Sequence, residues 1–590
     1  MRYLLIFCLL VSKLAFTQAE LANDYYTKGQ FDKALVLYKK LESQNQFSNK
    51  YKQKIIDIYR QLEQLDQAEQ YIKTILDTNN NPVFLIEMGY NYQLKQNPTK
   101  AYEYYDLADQ KLNDNVNYAY MLARTYEQYS LLDRAIHVYK TAMELNPALR
   151  FNIQLARIYG EQGDIQKMFN SYLGFIQTNP IYIDNAKRAI SDFISEDGNN
   201  ENNILFKKTL LKKIQQEPNL LWNELLSWLF IQQKDYDKAF AQEKAIFKRQ
   251  PKSLNRIMEL ALITIDEQRN ETAKDILTYL TETAQDIDTK IKANNYLIKL
   301  ETQEVSNGNY RSIETKYQDL FNTFGVNNRT LDLQLSYAQF LAFKSNNPEA
   351  AIVFLKETLK LPLSQFQQAD VKLKLGDILV YQEKFNEALI YYTQIQQALK
   401  NSTVAQEARF RIAKTSYYKG DFDWAESQLK ILKASTSQLI ANDALDLKLL
   451  ISDNKYEDST QSALKRYAKA DFLAYQNKTQ EAINVLNEVL KDHKGETIED
   501  QALFLQAKLF EKQHQYIKAE ANYNLIITNY KFDILADDAL YRLAELYNNQ
   551  LNQTAKAKAL YEQILFNHQD SIYFVEARKK FRALRGDSIN

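Results

Sequence analysis

Histidine, cysteine and paired carboxylates are the side chains that most often bind metals or perform catalysis, and this 590-residue chain offers few useful arrangements of them. It has four histidines and one cysteine. Metal sites need several such ligands, commonly at short fixed spacings. No histidine has a neighbour at such a spacing, so we expect no metal site. The four are His137, His493, His514 and His568.

Motifs for phosphate binding and nucleophilic catalysis are also missing. The chain has no Gly-rich phosphate loop, and Gly160-Glu-Gln-Gly163 fits a turn between two helices. No Gly-x-Ser-x-Gly nucleophile elbow occurs. The 74 carboxylates are spread so widely that chance pairs carry no weight. We therefore expect no catalytic residue and no cofactor.

The clearest pattern is a helix-turn-helix unit written twice between residues 116 and 180. Tyr126 recurs as Tyr159, and Pro147 recurs as Pro180, each 33 residues later. Apolar residues within each half fall three and four apart, which predicts helices with one buried stripe. Such a period indicates a repeat architecture.

The order of residue types in this unit resembles the tetratricopeptide repeat (TPR) family. Ala123 and Ala135 are small where two helices would cross, Tyr126 and Tyr139 are large, and Pro147 ends the unit. The family's first, tryptophan-like position is Ala119 here, a departure from its pattern. The resemblance implies an all-α fold, a right-handed α-solenoid of tandem TPR hairpins, and says almost nothing about activity.

Anchor residues extend this pattern along most of residues 20–585. The period is 33 or 34 at the start, irregular in the middle and 37 or 38 in the last part. The last part resembles longer-period TPR units of periplasmic and outer-membrane-associated proteins. Residues 438–475 fit no unit and predict a long irregular hairpin, and 571–585 predict a capping helix that stops at Gly586. The predicted divisions are a signal peptide at 1–19, an N-terminal TPR array at 20–180, divergent hairpins at 181–365, a C-terminal array with its capping helix at 366–585, and a tail at 586–590. The anchors are Ala34, Ala68, Ala101, Ala135, Met168, Ala239, Ala273, Ile313, Ala351, Ala388, Ala425, Ala482, Ala519 and Ala557.

The N-terminus is typical of a secretory signal. Arg2 precedes an apolar run that is too short to span a bilayer, and Thr17-Gln18-Ala19 offers small residues for cleavage. Cleavage after Ala19 would remove Cys8, the single cysteine, and leave no disulfide or thiol chemistry. We expect an exported protein that is periplasmic or associated with the outer membrane, without a transmembrane span after cleavage.

Composition agrees with an extended helical protein and argues against nucleic acid. There are 12 Gly and 8 Pro, so we expect few turns of special geometry. Without residues 1–19 the chain would carry 72 basic and 74 acidic residues. This balance gives no electrostatic reason to expect nucleic acid or an anionic membrane surface as a partner.

A protein partner needs a binding face, and the first helices of the N-terminal units provide candidates. Some TPR proteins hold a peptide carboxylate with Lys and Asn at equivalent positions, and that pattern is missing from these units. Aromatic and arginine side chains stand there instead, and these types are favoured at binding hot spots. The candidate groove residues are Tyr90, Asn117, Tyr120, Arg124 and Arg157. Ordinary solvated helix surface is the alternative interpretation of each.

These observations predict a non-catalytic TPR scaffold that mediates protein–protein interactions in the bacterial cell envelope. Its partner would be a protein or peptide, with association with outer-membrane or envelope complexes. Two alternatives stay open: an enzyme acting on envelope polysaccharide that uses a helical toroid or solenoid, and a structural spacer. No stretch long enough for a separate catalytic domain lies outside the helical pattern, which favours the scaffold.

Overall fold

The computed structural model describes residues 18–45, 47–305, 308–432, 437–455 and 460–587. Within these ranges the regular elements are helices, and no β-strand occurs. The all-α prediction is therefore confirmed. Residues 1–17, most of the predicted signal peptide, lie outside the described residues. The chain divides into two compact units, Met1–Leu260 and Ala261–Asn590.

The first unit is a series of helices joined by short turns. Two short 3-10 turns, Val116–Tyr118 and Pro180–Tyr182, precede helices within it. Its helices are α1 (18–27), α2 (Phe31–Gln44), α3 (Asn49–Gln61), α4 (Leu65–Leu76), α5 (Val83–Leu94), α6 (Pro98–Asp114), α7 (Ala119–Gln128), α8 (Leu132–Leu145), α9 (Asn152–Glu161), α10 (Ile165–Thr178), α11 (Ile183–Ser191), α12 (Glu201–Gln216), α13 (Leu220–Gln232) and α14 (Tyr236–Arg249).

The division falls inside α15 (Asn255–Asp266), and the second unit continues in the same style. A 3-10 turn, Asn328–Thr330, precedes α19. The remaining helices are α16 (Asn270–Thr283), α17 (Ile287–Glu304), α18 (Arg311–Phe324), α19 (Leu331–Phe343), α20 (Pro348–Thr358), α21 (Gln365–Tyr381), α22 (Phe385–Ala398), α23 (Thr403–Lys419), α24 (Phe422–Leu432), α25 (Gln438–Asn454), α26 (Ser462–Tyr475), α27 (Thr479–Asp492), α28 (Ile498–Lys512), α29 (Tyr516–Asn529), α30 (Ala536–Asn549), α31 (Thr554–Asn567) and α32 (Phe574–Arg585).

Pairs of consecutive helices form antiparallel hairpins because small anchor residues let them approach closely. The fourteen anchors predicted from the sequence are all between 0 and 3% exposed. Large aromatics fill the space beside them, and Tyr126 and Tyr139 are fully buried. The sequence pattern therefore located the core of nearly every hairpin.

The turn inside most hairpins uses a left-handed backbone, contrary to our expectation from the low glycine content. Such conformations cost non-glycine residues about 1–2 kcal/mol. Backbone hydrogen bonds close these turns: Leu131 N–H donates to the Tyr126 carbonyl at 2.9 Å, and Asp164 N–H to the Tyr159 carbonyl at 2.8 Å. Special turns are thus frequent, and residues other than glycine adopt them. They are Glu63, Gln96, Ser130, Lys234, Gln268, Asn346, Glu383, Asn477, His514 and Asn552, while Gly29, Gly163 and Gly420 hold the same place elsewhere.

The divergent middle region of the first unit is still made of packed helices. The Asn200 side chain accepts hydrogen bonds from the backbone of Asn202 and Asn203, which starts α12 after a polar loop. Trp222 is fully buried, and half-buried Trp228 meets the Phe206 ring edge-on with centroids 6.4 Å apart. These tryptophans belong to the core.

Residues 438–475 do not form the predicted hairpin. α25 packs on α24, whereas α26 pairs with α27. The α26 side chains reach far back along the chain: the Phe472 and Phe385 rings lie 5.3 Å apart. Gln476 Nε2 also donates to the Tyr381 carbonyl at 2.8 Å. The prediction was wrong because α26 finds its partners in elements that the local sequence does not reveal.

The last helix, α32, ends as predicted. Gly586 has φ +88° and donates its N–H to the Ala583 carbonyl at 3.1 Å, a left-handed stop. The helix begins at Phe574, slightly later than the predicted 571. Across the described part of the chain, no helix is both long and apolar enough to cross a bilayer.

Candidate functional site

The predicted groove residues lie on or just before α5, α7 and α9, the first helices of three consecutive hairpins. We call Tyr90, Asn117, Tyr120, Arg124 and Arg157 the first-helix strip. Tyr120 is 54% exposed. Asn117 and Arg157 are also exposed, whereas Arg124 and Tyr90 are partly buried. The strip therefore contains both accessible and enclosed positions.

Glu127 brings two members of the strip together. Arg124 Nη1 lies 3.1 Å from Glu127 Oε2, and Arg157 Nη2 pairs with the same oxygen. The Tyr139 hydroxyl donates to the other carboxylate oxygen at 3.1 Å. Burial, with the adjacent Glu127 carboxylate, raises the pKa of Tyr139 above its usual value. One carboxylate thus fixes both arginines, and Arg157 Nε also lies 4.0 Å from Glu161 Oε1.

Glu127 was missed in the sequence because its role depends on two repeats at once. It follows Arg124 by three residues, which places both on one helix face. Arg157 comes from the next hairpin, 30 residues later. The repeat period could have indicated this neighbour, since equivalent positions of adjacent first helices lie side by side.

Tyr90 belongs to a different cluster. Its ring stacks on the Tyr129 ring with centroids 3.9 Å apart, and the Arg60 guanidinium lies 5.1 Å from its centroid. Among the described residues, no hydrogen bond, ion pair or ring contact joins Tyr90 to the other four strip residues. The structure therefore supports a compact part of the strip around Glu127 and sets Tyr90 apart.

The cluster around Tyr90 rests on a buried ion pair that the sequence did not reveal. Arg60 Nη1 lies 2.7 Å from Glu87 Oε2, and both side chains are at most 4% exposed. The Tyr129 hydroxyl donates to Glu87 Oε2 at 2.7 Å and accepts from Arg60 Nη1 at 2.9 Å. Burial alone would lower the pKa of Arg60, but the Glu87 carboxylate raises it. The pair ties α3 to α5.

Tyr120 and Asn117 are the strip residues whose side chains form neither an ion pair nor a ring contact with other described residues. Within the described ranges, neither side chain makes a hydrogen bond. Tyr120 lies on the exposed side of α7, one helix turn before Arg124. An exposed aromatic beside two fixed guanidinium groups can stack on a ligand and donate hydrogen bonds to it.

One protein-family model matches part of the chain. The family model described as tetratricopeptide repeat matches residues 116–149, the hairpin of α7 and α8. The same hairpin with the same buried anchors recurs along both units. The hairpin of α7 and α8 is therefore similar to a tetratricopeptide repeat. A search of curated proteins finds no match.

Two solved structures align with this chain over most of its length. The crystal structure of the APC/C hetero-tetramer Cut9–Hcn1 has 12% identity and a TM-score of 0.25, with 95% of each chain covered. The structure of Naa15/Naa10 bound to HypK-THB has 12% identity and a TM-score of 0.28, covering 97% of this chain and 94% of that one. Scores this low support no inference about function or overall arrangement.

Proposed function

We propose that this TPR protein is a non-catalytic scaffold that binds protein partners in the bacterial cell envelope. TPR proteins bind protein partners, and this chain displays hot-spot residue types on consecutive first helices. The observation that carries the proposal is the exposed Tyr120 beside Arg124 and Arg157, both fixed by Glu127.

The location in the envelope rests on the N-terminal sequence. Arg2, the short apolar run and Thr17-Gln18-Ala19 are typical of an exported protein. The native protein should begin within about two residues of Glu20. N-terminal sequencing of protein purified from its natural source tests this, and an intact Met1 in a cytosolic fraction would contradict export.

The binding role is tested by removing the strip without leaving a buried charge. Deleting both arginines would strand Glu127, whose side chain is only 10% exposed. The test variant therefore combines Tyr120→Ala, Arg124→Ala and Arg157→Ala with Glu127→Gln. Glu127→Gln alone is the matched control.

We expect the test variant to lose roughly 2 kcal/mol or more of partner binding relative to the control, about 30-fold in affinity. Pull-down from envelope extracts identifies the partner, and titration of that purified partner gives the affinity. Both variants should show the helix content of the wild type. Equal recovery of every partner by test and control would remove the strip from the proposal.

A further inference from the structure

The second unit contains a groove of about 710 Å³ that the sequence did not indicate. It lies on α17, α19 and α21, the first helix of one hairpin after another along the chain. Arg329, in the 3-10 turn before α19, closes one side. This size falls in the range of sites that enclose a small ligand or a few side chains.

The rim of this groove has more cations than anions. We call Lys292, Lys299, Arg329, Lys344 and Lys374 the basic rim; its lining contains two carboxylates, those of Asp288 and Asp332. In the part of the chain that the structure describes, only Lys374 of the five has a side-chain hydrogen bond, to Gln339 Oε1 at 2.7 Å. None of the five forms an ion pair with another described residue.

Some other lysines of the second unit do pair with carboxylates. Lys316 on α18 pairs with Glu301 of α17 at 2.6 Å, and Lys384, just before α22, pairs with Glu349 of α20 at the same distance. The basic rim keeps a cationic surplus that an anionic ligand could neutralise.

The surroundings of the groove disfavour the charged forms of two of its lysines. Desolvation lowers the pKa of Lys299, and Asp332 only partly opposes this effect. Desolvation also lowers the pKa of Lys374, and neighbouring Arg411 and Lys299 add to it against the opposing Asp377. Both ammonium groups would be stabilised by a bound negative charge.

The floor of the groove favours a peptide over a bare anion. Asn295 is 4% exposed, and its Oδ1 has no hydrogen-bond partner in the described residues. A buried acceptor without a partner costs free energy, which an N–H donor from a ligand would recover. Half-buried Tyr296 and Leu335 add an apolar surface to the same lining. Peptide backbone supplies the N–H donor, and apolar side chains can cover this surface.

We propose that the basic rim and its floor bind an internal acidic segment of a protein partner. Side-chain carboxylates of that segment pair with Lys299, Lys374 and Arg329, a backbone N–H donates to Asn295 Oδ1, and an apolar side chain covers Leu335. The site lies in a different unit from the first-helix strip. It rests on the proposed scaffold function only in that the ligand is a protein segment.

The test uses the full chain and synthetic peptides, so it does not depend on identifying a natural partner. The probe is a fluorescein-labelled peptide of alternating Glu and Gly with one central Leu, amidated at its C-terminus. Its counterpart with Gln in place of Glu measures the contribution of the carboxylates. Fluorescence anisotropy gives the affinity of each.

The variant Lys299→Gln with Lys374→Gln removes two charges from the groove. Lys208→Gln with Lys212→Gln removes the same charge from exposed positions of α12 and is the matched control. All four positions are solvent-accessible, and circular dichroism checks that helix content is unchanged. Asn295→Leu tests the floor.

We expect the Glu peptide to bind about tenfold or more tightly than the Gln peptide, with rising salt weakening it. The groove variant should lose about tenfold, the Asn295 variant severalfold, and the α12 control less than about twofold. Equal losses in both lysine variants would show general charge attraction and overturn the proposal. Stronger binding of an oligonucleotide, or full displacement by pyrophosphate, would overturn it in favour of a phosphate ligand. We expect the variant that replaces Tyr120, Arg124, Arg157 and Glu127 to bind the Glu peptide as the wild type does. The result for one proposal therefore does not decide the other.

Discussion

At the scale of single residues, the buried Arg60–Glu87 pair shows how charge can be kept inside a helical array. Removing both charges from water costs several kcal/mol, which mutual attraction repays only with good geometry and further hydrogen bonds. Tyr129 supplies one such bond to Glu87, and the Glu87 carbonyl accepts another from Arg60. Arg60 Nε has no hydrogen-bond partner among the residues that the structure describes. The pair is therefore sensitive to the loss of either member.

Glu87→Leu should destabilise the hairpin of α5 and α6 by about 3–5 kcal/mol because it leaves the Arg60 charge buried without a counterion. The double variant Arg60→Met with Glu87→Leu should recover most of this loss. Hydrogen exchange of α5 amides measures the local stability. A double variant as unstable as the sum of both single variants would contradict this explanation.

Asp500 shows the opposite case, a buried carboxyl group with no cationic partner in the described part of the chain. It is 5% exposed on α28, and burial raises its pKa to about 6, with Asp533 and Asp453 adding to the effect. The unfolded pKa is about 3.9. Between these values the folded state holds the proton more tightly, so stability falls as pH rises from about 4 to 6.

Asp500→Asn should remove this penalty. We expect it to stabilise α28 by up to about 3 kcal/mol above pH 6 and to have little effect below pH 4, where both states hold the proton. Hydrogen exchange of α28 in wild type and variant, or the unfolding transition that includes it, measures the difference at each pH. A gain of the same size at pH 4 and pH 8 would show that the carboxyl charge is not its cause.

Residue types alone allowed only part of the candidate site to be predicted. Tyr120, Arg124 and Arg157 follow from repeat positions that face outward on a first helix. Glu127 and Glu87 do not, because a carboxylate on a helix surface is common and its importance depends on a side chain from another hairpin. The basic rim was missed for the same reason.

At the scale of the helical hairpin, a small residue on the first helix faces a tyrosine on the second. Gly89 lies against Tyr105, and Gly376 against Tyr392, 16 residues later in both hairpins. A Cβ on Gly89 would come within 2.5 Å of the Tyr105 ring and 3.0 Å of the Ala101 carbonyl oxygen. Glycine here serves close packing of the two helices.

Gly89→Ala should therefore destabilise its hairpin by about 1–3 kcal/mol, although alanine is the better helix former. Gly174, inside α10, is the matched control, because a Cβ there would meet nothing closer than 3.7 Å. Gly174→Ala should stabilise by up to about 1 kcal/mol. Thermal unfolding of the two variants distinguishes packing from propensity, and a stabilised Gly89 variant would rule out the packing explanation.

Hairpins could be predicted wherever consecutive helices in the sequence also pack as a pair. Apolar spacing and small anchors then locate both helices, as in α7 and α8. The region from α24 to α27 was predicted wrongly because α25 is an additional helix. In addition, α26 packs on residues nearly a hundred positions earlier. Local periodicity contains no information about such distant partners.

At the scale of the whole molecule, both units consist of repeated hairpins that contact mainly their neighbours in sequence. Folds of this kind are predictable from a repeat period because every hairpin packs on its neighbours in the same way. Function is less predictable, because hairpins of the same kind present different side chains. The first-helix strip and the basic rim differ in charge and lie in different units.

The central claim is that first helices of the N-terminal hairpins bind a protein partner. Two exposed tyrosines allow a direct comparison: Tyr120 on first helix α7 is 54% exposed, and Tyr102 on second helix α6 is 59% exposed. Each is replaced in turn by a photo-crosslinking phenylalanine analogue, and intact cells are irradiated. We predict that one protein crosslinks through position 120, that position 102 captures little of it, and that Arg124→Ala with Arg157→Ala and Glu127→Gln abolishes the product. Capture of the same protein through position 102 but not position 120 would contradict the claim.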